Sequence, residues 1–442
     1  MARGSSISAM VAAGVGLGAI IGAGIFVLSG TAIALAGLDA LFAFIAVGIV
    51  AIFVALQTGE MASIFPHVKG TIYSFVYNAF GSQLGFMTGV VIYTSYVTSV
   101  SAISLGFGSY LSSVLALGSA WDPIYFAIAL IIALSLVNLH GIKSAVEVDF
   151  GLVLVKVLIL LVFIIFGLSY LTSVNGGPPY AHFSVSAAQS GVLPFFQACV
   201  VIFFAYSGFQ VINTFTDRIK GGPRAAAKAI IGAVVVSIAL YVLVVFALML
   251  LVPAGGFTVS ADPLASALKA VHAPGYLFYI VDIGALIATA SAALAGLLSS
   301  SRILYQISKD NLLPSIFYRA YDPRRDVASY AILLSMVISI ATLFLGNVYV
   351  IAAMADFGII FSYIALGFAL IHFRRIGKRG SFSAPFYPYL PILSIVILIA
   401  FMYGMPQQSL FIGFVILFLS MLVYFSLREI EEKKVVKVKL FD

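Results

Sequence analysis

The stretch Ile20-Ile21-Gly22-Ala23-Gly24-Ile25-Phe26 lies in the middle of the first apolar run of the chain. Glycine costs about 1 kcal/mol relative to alanine inside a helix, so two glycines around one alanine offer little resistance to a break. At bilayer depth, a break is tolerated only where the exposed backbone groups are buried in protein or face a polar ligand. The stretch predicts a binding site in an interrupted helix or, because Gly14, Gly18 and Gly22 are four residues apart, close helix packing.

The composition is that of an integral membrane protein. The 442 residues are 62% hydrophobic and 9% charged, and the mean hydropathy is +1.16, which excludes a soluble domain of this size. Twelve apolar windows approach the spanning length of about 20 residues. They cover residues 9–35, 39–64, 82–113, 123–139, 149–172, 190–215, 228–252, 275–300, 328–345, 348–371, 388–403 and 408–427. The sequence therefore predicts an all-α membrane protein with twelve transmembrane helices in one domain over residues 1–442.

Basic residues are segregated to one set of span ends and loops, called the basic side below. Of the 23 Lys and Arg residues, all but Lys156, inside a span, and Lys269, on the opposite face, lie on this side. Because cytoplasmic loops carry the excess of Lys and Arg, we expect a multi-pass protein of the cell membrane with both termini cytoplasmic. The net charge of +7 comes from these loops, and without a basic module it does not indicate nucleic-acid binding. The basic tail 428–442 is expected to touch anionic membrane lipid or to form a solvated helix end.

The sixth apolar window repeats the opening pattern. It contains Phe203-Phe204-Ala205-Tyr206-Ser207-Gly208-Phe209-Gln210, again with small and polar residues at mid-span. Five spans separate the starts of the two windows, and an odd number inverts the second unit. Paired interruptions at matching positions of two halves indicate the central site of a transporter. The predicted halves are two inverted five-helix repeats at about 9–172 and 190–371, followed by two extra helices at about 388–427.

Several motifs, in the same order, resemble those of the amino acid–polyamine–organocation transporter family. The matching segments are residues 20–26, 59–66 with Gly70 and Tyr73, 206–209, 217–225 and 301–314. The chain departs from the family pattern at residues 67–71 and at Gly221-Gly222. The resemblance implies the five-plus-five inverted-repeat fold, with helices one and six unwound at mid-membrane, and it implies transport rather than enzymatic catalysis.

The resemblance also implies a site for an amino acid at the two interruptions. The implied substrate-binding residues are Ile20, Gly22, Ala23, Gly24, Ile25, Phe203, Phe204, Tyr206, Ser207 and Gly208. Backbone N–H groups that start the second half of helix one favour the substrate carboxylate, and carbonyls freed at Ile20, Phe204 and Ser207 would accept from its ammonium group. Phe204 and Tyr206 are gating candidates, with core packing as the alternative for Tyr206. Neither stretch contains a charged residue, which favours a neutral amino acid.

Lys156 is the residue within a span that most strongly suggests a function. Its eight nearest neighbours in sequence are all apolar. Counted from Asp149, it lies about 10 Å into its span. It can extend its ammonium to the interface, or it can be functional, as intramembrane ionisable residues often are. In some members of the resembled family a lysine on helix five replaces a sodium ion, which implies Gly18 and Ser291 as partners here. We therefore expect proton-coupled symport with no cofactor or metal, and an amino-acid or polyamine exchanger or uniporter is the alternative.

Three acidic residues also lie within spans. Glu60, near a helix end on the basic side, is expected to pair with a loop cation. Asp282 and Asp356 lie in the outer parts of their spans, where they could relay protons or pair locally. Asp282 reaching the site would permit a cationic substrate or polyamine. A channel remains a further alternative. A membrane-embedded enzyme would need acids or histidines gathered at one interface, and here they are scattered.

Overall fold

Helices make up most of the part of the chain that the structure describes. The computed structural model describes residues 8–65, 72–116, 122–140, 145–173, 191–209, 212, 219–322 and 327–439. The helices are α1 (Ala9–Ile20), α2 (Ala23–Ala36), α3 (Asp39–Ile64), α4 (Ile72–Phe80), α5 (Ser82–Val114), α6 (Asp122–His140), α7 (Ala145–Ser173), α8 (Val192–Tyr206), α9 (Gly222–Leu251), α10 (Pro263–Ala270), α11 (Gly275–Lys309), α12 (Ile316–Arg319), α13 (Ser329–Thr342), α14 (Val348–Arg375), α15 (Tyr389–Tyr403) and α16 (Gln407–Lys439). A short antiparallel pair joins β1 (Tyr321–Asp322) to β2 (Val327–Ala328), with Tyr321 opposite Ala328.

The helices account for the twelve predicted spans. Eight of them are long and apolar enough to cross a membrane, and α1 and α2 form a further span that is bent by 51° at its break. The shorter apolar helices α8, α13 and α15 supply the other three. The all-α membrane fold with twelve spans, predicted from the apolar windows, is confirmed.

Two helices extend especially far past the ends of their apolar windows. The window at 275–300 becomes α11, which continues to Lys309, and the window at 408–427 becomes α16, which continues to Lys439. Hydropathy registers only the part of a helix that lies in hydrocarbon, whereas the helix itself can continue into water or headgroups. The described part of the predicted basic tail is thus a continuation of α16.

The breaks predicted in spans one and six are both present. In the first, α1 ends at Ile20 and α2 begins at Ala23. In the second, α8 ends at Tyr206, Ser207 is extended, and Gly208 has a φ of 118°, a conformation that glycine adopts without strain. Residues 66–71, Gln210 and Asp217, which belong to the sequence motifs, lie outside the described residues.

Packing around the breaks determines which helices can reach them. The α2 helix packs against α8, and α1 packs against α7 and α9. The α5 helix crosses the bundle and contacts α6, α11 and α14. The two extra helices, α15 and α16, both pack on α14. Segments from both predicted halves therefore surround the two breaks.

Candidate functional site

The two helix breaks are in direct contact. A Cβ atom at Gly208 would overlap the Ala19 carbonyl oxygen, and a Cβ atom at Gly24 would overlap the backbone of Ala205. Glycine is required at both positions because no larger residue leaves room for the neighbouring backbone. The start of α2 and the end of α8 therefore lie side by side, which joins the two predicted stretches into one site.

Helix ends of opposite polarity converge at this site. The first N–H groups of a helix have no partner within the helix, and Gly22, at the N-cap of α2, supplies no side-chain hydrogen bond to them. The ends of α1 and α8 instead present backbone carbonyl groups. Anions are favoured at helix N-termini and cations at C-termini. The arrangement can therefore receive a carboxylate at Ala23, Gly24 and Ile25 and an ammonium group near Ile20 and Tyr206.

Two of the three carbonyl groups expected to be free, those of Ile20 and Phe204, are already hydrogen-bonded. The hydroxyl of Tyr241, on α9, lies 2.8 Å from the carbonyl oxygen of Ile20 and 3.1 Å from that of Ala205. The Phe204 carbonyl accepts from both the N–H and the hydroxyl of Ser207, at 3.2 and 2.7 Å. In this conformation the Ile20 and Phe204 carbonyls thus already have donors, and their binding of the substrate ammonium stays a prediction. Nearby hydroxyls satisfy them because unpaired carbonyls are costly away from water.

Tyr241 is a site residue that the sequence analysis missed. It is completely buried, and its ring packs against Phe44 and Tyr206, with centroids 5.9 and 5.2 Å away. The signal in the sequence is a single hydroxyl-bearing residue in the apolar run 238–251. A buried tyrosine hydroxyl needs a hydrogen-bond partner, so its position at mid-span points to exposed backbone nearby.

The gating candidates Phe204 and Tyr206 are both buried. The Tyr206 hydroxyl donates a hydrogen bond of 3.0 Å to the Phe44 carbonyl on α3. Its ring therefore lies in the aromatic cluster with Phe44 and Tyr241, which supports the packing alternative for Tyr206. A gating role for Phe204 stays a prediction.

Lys156 lies inside the protein, with only 2% of its surface exposed. Val153, one turn before it, contacts Gly18 in α1, and Ile159, one turn after it, contacts Gly284 in α11. Residues three apart share a helix face, so Lys156 faces the seam between α1 and α11. A snorkelling lysine keeps its ammonium in water, and the burial of this side chain argues against that alternative.

The proposed partners of Lys156 lie on the two helices that border this seam. Gly18 is packed against Val153, one turn from the lysine. Ser291 lies two turns from Gly284 on α11, and its hydroxyl donates to the Ala288 carbonyl at 3.1 Å. The neighbouring Ala292 is next to Gly22, so this part of α11 lies beside the break in the first span.

Glu60 is held by a cluster of hydrogen bonds at the basic side. Nε and Nη2 of Arg374 each donate to its carboxylate at 2.7 Å, and the N–H of Ala384 donates at 2.8 Å. Arg374 also lies 4.4 Å from the centroid of the Tyr387 ring. The expected pairing is confirmed, but the cation comes from the end of α14 rather than from a loop. The α14–α15 connection is thereby attached to the end of α3.

Asp282 and Asp356 have different surroundings. Both are completely buried, and within the described residues none of their carboxyl oxygens has a hydrogen-bond partner. Asp356 lies near the backbone N–H of Phe204, close to the second break. Asp282 is close enough to Asp262 and Lys269 for electrostatic interaction. The structure therefore places Asp356 beside the site and Asp282 beneath the connection between α9 and α11.

The connection between α9 and α11 covers the outer end of α2. The Thr31 hydroxyl donates to the Ser260 carbonyl at 3.3 Å, and Gly30 packs against Pro263. Burial raises the pKa of Asp262, at the start of α10, and the charge of Lys269 partly opposes this effect. The outer end of the broken span is thus covered in this conformation.

Comparisons with known proteins agree with this architecture. The sequence profile of the family described as "Amino acid permease" matches residues 13–434. The chain is 29% identical to the "Methylthioribose transporter" of Bacillus subtilis, and the alignment covers 93% of this chain and 90% of the relative. It is 25% identical to the "Branched-chain amino acid permease BcaP" of the same organism, with the same coverage. It is also 29% identical to the "Cationic amino acid transporter 9, chloroplastic" of Arabidopsis thaliana, over 69% of this chain and 55% of that protein.

Proposed function

Since the chain belongs to the amino acid permease family, and is thus a membrane transporter of amino acids rather than an enzyme, we propose that it carries neutral amino acids by proton-coupled symport. In this proposal the substrate binds where α1, α2 and α8 meet, and transport proceeds by alternating access. The proton is the coupling ion and no cofactor is involved.

The observation that carries the proposal is the convergence of oppositely polarised helix ends. An α-amino acid has a carboxylate and an ammonium separated by one carbon atom, and the start of α2 and the ends of α1 and α8 provide complementary partial charges at short range. The Ile20 carbonyl already accepts from the Gly22 N–H and from the Tyr241 hydroxyl, so in this proposal the substrate ammonium replaces one of these two donors. The breaks have no charged side chain, which supports a neutral substrate.

The proposed coupling group is Lys156. Its burial against the seam between α1 and α11 means that its ammonium, when protonated, competes for polar groups on those two helices. Loss of the proton removes that attraction and lets α1 separate from α7 and α11. Because α1 carries one side of the break, the change in charge affects access to the site.

The proposed orientation follows from the charged ends of the helices. Arg374 and Arg375 end α14 at the basic side and Lys378 and Arg379 follow it, whereas Lys269 is alone on the opposite face. The positive-inside rule supports a protein of the cell membrane with its basic side and both termini in the cytoplasm.

Uptake into proteoliposomes tests the proposal. Pooled radiolabelled amino acids are supplied with and without an inward proton gradient to the wild-type protein, to Lys156→Ala and to the matched control Lys269→Ala. Lys269 is an exposed lysine whose ammonium lies 2.7 Å from the Ser113 hydroxyl. We expect gradient-driven accumulation that Lys156→Ala abolishes and Lys269→Ala retains. Uptake that is independent of the gradient and unchanged in Lys156→Ala would show an exchanger or uniporter instead.

A cationic substrate is the second candidate, and Asp356 is the observation that favours it. This buried acid lies near Phe204 without a hydrogen-bond partner among the described residues, and an amine on the substrate side chain could pair with it. Competition of labelled leucine uptake by unlabelled lysine or by unlabelled valine separates the two. Inhibition by valine alone supports the neutral class, and inhibition by lysine that disappears in Asp356→Asn supports the cationic class.

A further inference from the structure

A cleft of about 460 Å³ lies on the surface of the bundle, away from the helix breaks. Its walls are α4, the first turns of α5 and the basic end of α14. Phe368 is 51% exposed and Leu84 is 42% exposed, so the cleft opens outward along its length. The family assignment and the proposed transport cycle do not account for it.

The chemistry of the cleft changes along its axis. Most of its lining is apolar, as at Leu84 and Phe368, and Thr88 is the polar residue at its deeper end. His372 and Arg375 lie at the opposite end, on the basic side of the protein. Arg375 is exposed and has no ion pair within the described residues. The cleft is therefore a long apolar surface that ends in a cation.

The length of the cleft matches one leaflet of a bilayer. Lining residues on α14 run from Phe361 to Arg375, which is about 21 Å at 1.5 Å per residue. Half of a bilayer, including its headgroup region, is about 20–22 Å thick. A chain lying along this face of α14 from mid-membrane therefore places a lipid headgroup beside Arg375.

We propose that this cleft binds one anionic phospholipid of the cytoplasmic leaflet. Its acyl chain lies between Leu84 and Phe368, and its phosphate accepts hydrogen bonds from Arg375, assisted by His372. A guanidinium binds phosphate through two parallel N–H donors, whereas an ordinary boundary lipid would need no such group. The leaflet follows from the proposed orientation, but the binding site does not depend on the transport mechanism.

Occupation of the cleft would join helices from different parts of the chain. The α4 helix lies between the second and third spans and packs on α5 and α14. The rings of Phe80 on α4 and His372 on α14 are 5.6 Å apart at one edge of the cleft. A lipid between these walls adds contacts to both, so its binding stabilises the folded protein.

Thermal unfolding of the full-length protein in detergent tests the site. Phosphatidylglycerol, phosphatidylcholine with the same acyl chains, or inorganic phosphate is added to the wild-type protein, to Arg375→Gln and to the control Arg379→Gln. Arg379 is an exposed arginine four residues away that does not line the cleft. We expect phosphatidylglycerol alone to raise the Tm. One cation near a lipid headgroup contributes about fivefold in affinity, so Arg375→Gln should need about fivefold more lipid for the same shift.

A second variant tests the apolar part of the cleft independently of its charge. Ala365, which lines the cleft on α14, is replaced by Phe to fill the space. Native mass spectrometry should then show fewer bound phosphatidylglycerol molecules than for the wild-type protein, with Arg379→Gln unchanged. Equal shifts with the two lipids, a shift with phosphate alone, or equal losses in Arg375→Gln and Arg379→Gln would each overturn the proposal. Unchanged lipid binding in Ala365→Phe would also overturn it.

Discussion

Glu60 and Asp356 are both completely buried carboxyl groups in membrane-spanning helices, yet their surroundings differ. Glu60 accepts two hydrogen bonds from Arg374 and one from the Ala384 N–H. Asp356, like Asp282, has no hydrogen-bond partner within the described residues. The same chemical group is thus hydrogen-bonded in one region of the protein and has no such partner among the described residues in another.

The difference separates a structural acid from candidates for function. A buried carboxylate that is paired and fully hydrogen-bonded joins parts of a fold, and Glu60 attaches the α14–α15 connection to α3. A buried polar group left without a partner costs stability, so its presence near a site calls for another explanation. Asp356 lies near Phe204 at the second break, where a substrate or a proton would be its partner.

Among the variants that test this comparison, the removal of Arg374 should cause the largest loss of stability. In Arg374→Ala the Glu60 carboxylate stays buried and loses its cation, which should cost about 3–5 kcal/mol. Thermal or denaturant unfolding in detergent measures the loss, and Arg379→Ala is the control for removing an arginine from the same region. The double variant Glu60→Leu with Arg374→Met should recover most of the stability. Equal losses in the double and single variants would show that packing, not charge pairing, is responsible.

The hydroxyl of Tyr241 extends the comparison to an uncharged group at the breaks. In Tyr241→Phe the carbonyls of Ile20 and Ala205 lose their shared donor, and a hydrogen bond between membrane helices contributes about 0.6–1.7 kcal/mol. Unfolding measurements should show a loss of this size, whereas Tyr125→Phe, at an exposed tyrosine of α6, should show none. Indistinguishable stabilities for the two variants would mean that the Tyr241 hydroxyl does not stabilise the contact of α9 with the ends of α1 and α8.

The smallest stability changes are expected at the unpaired acids. Asp356→Asn and Asp282→Asn break no hydrogen bond between described residues, so each should change the free energy of unfolding by less than about 1 kcal/mol. Asp356→Asn should nevertheless lower amino-acid uptake in proteoliposomes. A large loss of stability with unchanged uptake would place Asp356 in the same structural class as Glu60.

Much of the fold could be predicted from the sequence because span length and hydropathy are local properties. The breaks could be located for the same reason, since Gly22 and Gly208 mark backbone that leaves the helix. The hydrogen bond from Tyr241 to the Ile20 carbonyl could not be predicted in this way. The donor to Ile20 lies 221 residues away, at Tyr241, and no local pattern connects two residues so far apart.

The sequence by itself determined the membrane class, the twelve spans and the places where two of them break, because each depends on the solvation of a short segment. Only the tertiary structure decided that the two breaks touch through Gly24 and Gly208, that Glu60 pairs with Arg374, and that Lys156 faces α1 and α11 rather than lipid. These outcomes depend on how helices from different parts of the chain pack. Packing selects one partner among many that the composition allows, because burial without a partner is costly.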